Sequence, residues 1–439
     1  MKILILLPHQ LFDSKYFPDN LEQIIFYEHP HYFKKYNYNK KRLVMNRASM
    51  KAYYDELVSK FKNITIKYIN YNNSKSNLPD KAFVFDPIDK INIPNGWEII
   101  ESPNFLLTKE DYIKYRNEKS KKFFFNSFYM WGKKTIDIIP NIKSLDSENR
   151  KKMPKDTVIP KLPVNVNTDE KKYLTEAIKY VEKEFPKNCG TSDNFVFPIT
   201  HRGAKTWLDD FIKAKFKNFG TYQDYIKQNE NFMFHSCLST VINLGLLNPS
   251  EIIEKIKSLE KSIPKNSYEG YIRQLFWREY QRFCYIHFNF EGLNYFGNTK
   301  KLTNDWYLGT TGIEPVDDAI KTAFNTGYLH HIIRLMVIGN WMNLSGISPE
   351  EGFKWFMEFS CDSYEWVMCQ NVLDMVFCVS GGQTMRKPYI SSSNYILLMS
   401  DYKKGIWSET WDKKYHEFLD KHKSKLIPRF AYAFANRYK

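Results

Sequence analysis

Residues 327–340 read GYLHHIIRLMVIGN. Tyr328, Ile332, Leu335 and Met336 recur at spacings that fall on one side of a helix. Away from that apolar side stand His330, His331 and Arg334. Adjacent histidines on a helix point in different directions, so one can face a cavity and the other a neighbouring helix. Arg334 is four residues from His330 and three from His331, which makes it a neighbour of both. A permanent cation and two titratable rings on a largely apolar helix have two readings. One is a core helix whose polar side reaches solvent. The other is a pocket for an anionic cofactor and a substrate that needs a proton donor.

Outward from this stretch, everything after Lys171 has a helical pattern almost to the end of the chain. The spacing predicts helices over 170–185, 203–215, 222–228, 239–245, 249–261, 268–288, 315–325, 328–344, 349–359, 364–378 and 409–422. Asn248-Pro249 and Ser348-Pro349 supply helix starts. The first 135 residues differ. Ile3–Leu7, Ile24–Tyr27, Ile64–Ile69 and Ala82–Asp86 are short apolar runs, and KRLVMNRASMKAYYDELVSKF from Lys41 is a long helix. That alternation predicts an open parallel α/β sheet, Rossmann-like in layout. No GxGxxG supports a nicotinamide site. Residues 136–169 are rich in Pro, Asn, Lys and Asp and predict a long connector. The expected organisation is an α/β domain over 1–135, a connector over 136–169 and a large all-helical domain over 170–439.

Composition narrows the class. Of 439 residues, 43% are hydrophobic and 26% charged, as in a folded globular protein. The net charge of +15 favours a polyanionic partner, nucleic acid above all. The six cysteines form no CxxC pair, so neither a disulfide framework nor a cysteine metal site is expected. No signal peptide and no membrane-length apolar run is found. A soluble, intracellular protein is expected.

Three further segments carry chemistry. Tyr222 follows the turn Phe219-Gly220-Thr221 and is read as opening a helix. Ser236, Leu238, Ser239 and Thr240 of HSCLSTVIN then start another. Hydroxyls and free N–H groups at a helix start form either an anion site or an ordinary cap. In YEGYIRQLFWREYQRF (268–283), Gln274 and Trp277 share a face, and Arg278 faces elsewhere. An amide beside an indole can read and stack on a base, and the arginine can meet a phosphate. In CDSYEWVMCQNVLDM, Asp362, Trp366 and Asn371 sit among apolar residues, and a buried carboxylate needs a partner.

Taken with GGQTMRKPYISSSNYILLMSDY (381–402), the N-terminal LLPHQL, the KKRLVMNRASM helix and ENRKKMP (148–154), these motifs resemble the photolyase/cryptochrome flavoproteins. The branch they are most similar to is the bacterial iron–sulfur photolyases and cryptochromes, which include prokaryotic (6-4) photolyases. The resemblance implies FAD in the helical domain, lined by Tyr222, Ser236, Leu238, Ser239, Gln274, Arg278, Arg334, Asp362 and Asn371. It implies that Gln274 and Trp277 meet a flipped-out lesion, with His330 and His331 as the adjacent lesion-site histidines. Trp355 and Trp306, with Trp366 as another candidate, would pass electrons. The implied partner is UV-damaged DNA held without sequence preference by a monomer, with the (6-4) product favoured over the cyclobutane dimer. A cryptochrome-type photoreceptor without repair is the alternative. A lumazine-type antenna is possible in the N-terminal domain of this branch.

Two departures stand out. The branch has four cluster cysteines; here Pro315 or Val316 takes the first position, and no cysteine lies beyond Cys378. No iron–sulfur cluster is expected, and Trp407 and Trp411 are expected to fill its space. The RQLFWREY spacing is one residue shorter than the branch's and looks like that of cyclobutane-dimer enzymes.

Overall fold

A computed structural model describes residues 1–73, 78–119, 123–137, 144–163 and 168–434. Its N-terminal part is a five-stranded sheet of order β3-β2-β1-β4-β5, where β1 is Ile3–Leu6, β2 Gln23–Tyr27, β3 Thr65–Ile69, β4 Ala82–Phe85 and β5 Trp97–Ile100. Every pairing is parallel. β1 and β2 are buried on both faces, which is why they read as unbroken apolar runs. The edge strand β3 alternates exposed and half-buried residues. β5 is the other edge; its WEII has too little apolar content to stand out in the sequence, and it was not anticipated.

The long helix runs Lys40–Lys60, started by Asn39, whose side chain accepts the Lys41 N–H at 2.9 Å. It buries Arg42 and Arg47 as well as its apolar residues. Arg47 is paired with Glu28 at 2.7 Å and with Glu176 at 2.6 Å, which ties the sheet layer to the Lys171–Glu184 helix. Part of the cationic surplus is therefore internal: Lys41, Arg42, Lys215 and Arg282 are buried too.

The remainder is helical. The central element is Lys265–His287, 23 residues long. Its Glu279 accepts the Leu106 and Leu107 N–H groups at 3.0 and 3.2 Å and the Tyr112 hydroxyl at 3.0 Å, fastening the end of the α/β part to the helices. Two helices unread in the sequence, Lys109–Lys119 and Phe125–Ile136, lie before the connector region. Pro349–Phe359 matches its expected bounds, and Pro349 follows the Ser348 cap. The last helix is longer than expected, Ile406–Phe434, and bends at Phe430 beyond Pro428.

Two expected helices are corrected. Tyr222 does not open a helix; it closes Phe216–Tyr222, and 223–228 is irregular. The histidine helix starts at His331 rather than Tyr328, and Ile333–Gly339 is π-helical. Gly327 explains the delay. It ends the preceding helix in the left-handed region (φ +67°), and a Cβ there would lie 2.5 Å from Cys361 Sγ. The next three residues are spent turning the chain.

Candidate functional site

His330 therefore precedes the helix and His331 begins it, which sends the two rings to different surroundings. His330 is fully buried and stacks on His235, with ring centroids 4.5 Å apart and planes at 14°. Burial holds both imidazoles far below their usual pKa, His235 at about 3, so both are neutral. His331 is exposed, and its Nε2 lies 3.1 Å from Asp224 Oδ1. Asp224 also lies 3.8 Å from Arg150.

One turn on, Arg334 makes a two-pronged contact with Asp362, at 2.9 and 3.2 Å. Asp362 also accepts the Ser239 hydroxyl at 2.6 Å and that of Ser360. Burial alone would raise this carboxyl's pKa; Arg334 and the hydroxyls outweigh it and hold it below the usual range. The network continues from the Asp362 carbonyl to Asn243 Nδ2 at 2.9 Å, and from Asn243 Oδ1 to Arg278 Nε at 3.0 Å. Arg278 also donates to the Asn104 carbonyl at 2.6 Å and lies over Trp366, 4.9 Å from its centroid. Four segments distant in sequence thus meet in one polar seam, which joins Ser239, Arg278, Arg334 and Asp362.

The other expected residues are placed as follows. Gln274 reaches Gln223 Oε1 at 3.4 Å. Trp277 stacks face to face on Phe125 at 3.7 Å, so the shared face with Gln274 does not bring it to the histidines in this arrangement. Tyr222 packs on Phe234, Ser236 accepts the Leu238 N–H through its hydroxyl, and Leu238 leads into the Ser239–Leu244 helix. Asn371 donates to the Val367 carbonyl within its own helix at 2.8 Å. Trp355 is fully buried and donates to the Trp306 carbonyl at 2.7 Å, so those two are in contact.

His235, Asp224, Gln223, Asn243, Tyr389 and Tyr395 were not among the residues singled out. His235 and Asn243 bracket the quoted HSCLSTVIN, where the helix-start hydroxyls drew the attention. Burial raises the Tyr389 and Tyr395 phenols; Asp224 raises both further, and Arg150 lowers them. Trp407 and Trp411 form an aromatic run with Trp341 and Tyr402, and Tyr402 bonds Asp318 at 2.9 Å, on the helix that carries Pro315.

The donor set suits an anionic dinucleotide. Buried atoms of the polar seam without a partner among the described residues include Arg278 Nη2 and Asn104 Oδ1. Unmet donors and acceptors of this kind match phosphate oxygens and the polar edge of a heterocycle. A separate cleft of about 500 Å³ is lined by Phe33, Lys34, Tyr71, Phe185 and Lys354, and by none of the residues assigned to the flavin.

Comparison with known proteins bears on this site. A family model described as "Deoxyribodipyrimidine photo-lyase-related protein" matches residues 4–85 and 88–197. One described as "FAD binding domain of DNA photolyase" matches 271–411, a span that holds Arg278, both adjacent histidines, Arg334 and Asp362. A (6-4) photolyase of Agrobacterium fabrum is 37% identical over 264 residues, covering 59% of this chain and 52% of that protein. The matched stretch thus spans about half of the relative's length. An uncharacterised protein of Acanthamoeba polyphaga mimivirus, R853, is 44% identical over 110 residues, 24% of this chain and 85% of its own. The fold is similar to that of a class III photolyase from Agrobacterium tumefaciens, with TM-score 0.61 at 13% identity over 97% of both chains. It is also similar to a Synechocystis cryptochrome, with TM-score 0.56 at 13% identity over 98% of this chain and 88% of the other. The parallel sheet, the helical part that carries the Arg334–Asp362 seam and the two matched family models together establish that this chain belongs to the photolyase/cryptochrome family.

Proposed function

We propose that the chain is a light-driven DNA repair flavoenzyme acting on UV-induced pyrimidine dimers, with the (6-4) product as its preferred lesion. The observation that carries this reading is His331: an exposed imidazole on a carboxylate, at the edge of the buried polar seam. A (6-4) lesion needs a group that gives and retakes a proton, and an imidazole can do both. A cyclobutane dimer needs none.

FAD, when bound and reduced, supplies a light-driven electron. Arg278, Ser239 and the Arg334–Asp362 pair would hold its phosphates and ring edge, Tyr222, Ser236, Leu238, Gln274 and Asn371 would complete its lining, and the apolar helices would keep water out. Asp224 fixes the His331 ring so that one nitrogen stays turned toward the lesion. Gln274 is the amide for the base edge, and Trp277 serves once it leaves Phe125. Trp355 and Trp306 pass electrons inward, with Trp366 beside Arg278 as a second route. The lesion leaves the duplex stack at a reduced cost because its pairing is already damaged. The surface share of the cationic surplus grips phosphates without reading sequence.

An antenna chromophore is proposed at the carboxyl ends of β1 and β4, where the strand order reverses. Support comes from buried His9 Nδ1, Arg42 Nε and Nη2, Asp89 Oδ2 and the Tyr364 hydroxyl, which meet no hydrogen-bond partner among the described residues, a set fitting a polar heterocycle such as a lumazine. The chain is proposed to act as a soluble monomer; among the described residues no helix is long and apolar enough to cross a membrane.

The deciding experiment incubates the photoreduced protein with oligonucleotides carrying either lesion, in blue light and in darkness. Light-dependent restoration of the (6-4) oligonucleotide is expected. Restoration of the cyclobutane dimer alone would reverse the lesion assignment. No repair of either, with a normal flavin spectrum, would favour a cryptochrome-type photoreceptor.

A further inference from the structure

We infer that His235, His330 and His331 form a binding site for a borderline transition-metal ion of the Zn²⁺ class. Each offers a ring nitrogen, and the three lie within 4.8 Å of one another. The chain supplies the supporting contacts that imidazole ligands need. His235 Nε2 lies 3.0 Å from the Gln223 carbonyl, which makes it the protonated nitrogen and leaves Nδ1 as a bare, buried lone pair. His331 Nε2 lies 3.1 Å from Asp224 Oδ1, which leaves its Nδ1 free in the same way. An imidazole held through one nitrogen by a carbonyl or a carboxylate, with the other nitrogen open, is the arrangement that orients a metal ligand.

His330 adds the strongest sign. Neither of its nitrogens meets a partner among the described residues, although the ring is fully buried. Leaving such a group unmet is unfavourable, and a coordinate bond would satisfy it. The charged groups facing the cluster are Asp224 from the 223–228 segment, Lys215, and Arg334 on the histidines' own helix. Asp224 favours a cation; Lys215 and Arg334 oppose one. His331 is exposed, so an ion has an entry path, and a water can complete a tetrahedral set of three nitrogens. The rings are stacked 14° from parallel, so the His330 ring, which meets no partner among the described residues, turns about χ2 to aim its lone pair at the ion while His235 keeps its Gln223 contact.

The consequence deepens the proposed function and rests on it. If His331 faces the lesion, an ion on these rings takes the proton donor out of service, and metal and damaged DNA compete.

The test titrates Co²⁺, a coloured stand-in for Zn²⁺, into metal-stripped, flavin-loaded protein. One equivalent is expected to give a tetrahedral ligand-field band that Zn²⁺ bleaches. His331→Asn, at an exposed position, should abolish the band, and Asp224→Asn should weaken binding by roughly 10–100-fold. His235→Asn should abolish it as well, with circular dichroism confirming the fold. Absence of the band, or a band unchanged in His331→Asn, would overturn the site. Binding that persists while Zn²⁺ leaves lesion affinity and repair untouched would retain the metal site but refute competition, and with it the placement of His331 at the lesion.

Discussion

Replacing Arg334 by Met should be the most damaging single change in the polar seam. The guanidinium makes two bonds to Asp362, at 2.9 and 3.2 Å, and a third to the Leu329 carbonyl at 2.6 Å. Asp362 is only 6% exposed, so removing its partner strands a carboxylate where water cannot reach. Breaking a buried pair from one side costs about 3–5 kcal/mol. Replacing both members by apolar residues of similar volume is far cheaper, so Arg334→Met/Asp362→Leu should recover much of the loss, less what Ser239 and Ser360 forfeit. The pH response follows with its sign. In the native chain Asp362 is held below the usual carboxylate pKa, so its stabilisation is present above about pH 4 and is lost as pH falls through the folded value. Without Arg334, burial dominates and raises the pKa, so the variant should be relatively least damaged in acid. Urea unfolding of flavin-free native and variant protein at about pH 3, 5 and 8 measures both effects. A loss below about 1 kcal/mol, or a double variant no better than the single one, would refute the claim that this pair is a buried, mutually dependent unit.

Other outcomes follow from the same contacts. His235 is held at about 3 against an ordinary 6.5, so between those values the unfolded chain binds the extra proton and stability falls as pH falls. His235→Phe should flatten the acid limb of a denaturation series by about 1.4 kcal/mol per pH unit; an unchanged slope would count against a buried neutral ring. Trp355→Phe should slow photoreduction of the flavin yet leave repair by chemically reduced protein intact, read by absorbance and by oligonucleotide assay. Gly352→Ala puts a methyl 2.3 Å from the Phe377 ring, and overpacking of this kind should cost about 1–3 kcal/mol, visible as a lower Tm.

The sequence by itself determined whatever is written within a few residues. Ile3–Leu6 is apolar without interruption because both faces of a parallel strand are covered. Lys40–Lys60 begins where Asn39 caps it, and Pro349 follows Ser348 for the same local reason. The motifs around His330, Arg334 and Asp362 were likewise legible, because each is a short run of unusual residue types. Only the tertiary structure decided how those runs meet. That Trp277 lies on Phe125, that Asp362 holds Ser239 as well as Arg334, and that His235 stacks on His330 are contacts between residues 28 to 152 positions apart. Periodicity reports which face of a helix is apolar, not which helix it faces. The late start of the histidine helix shows the same limit. Gly327 ends its helix in a left-handed turn, Cys361, brought against it by the rest of the fold, leaves no room for a side chain there, and the few residues spent in the turn send His330 inward and leave His331 at the surface.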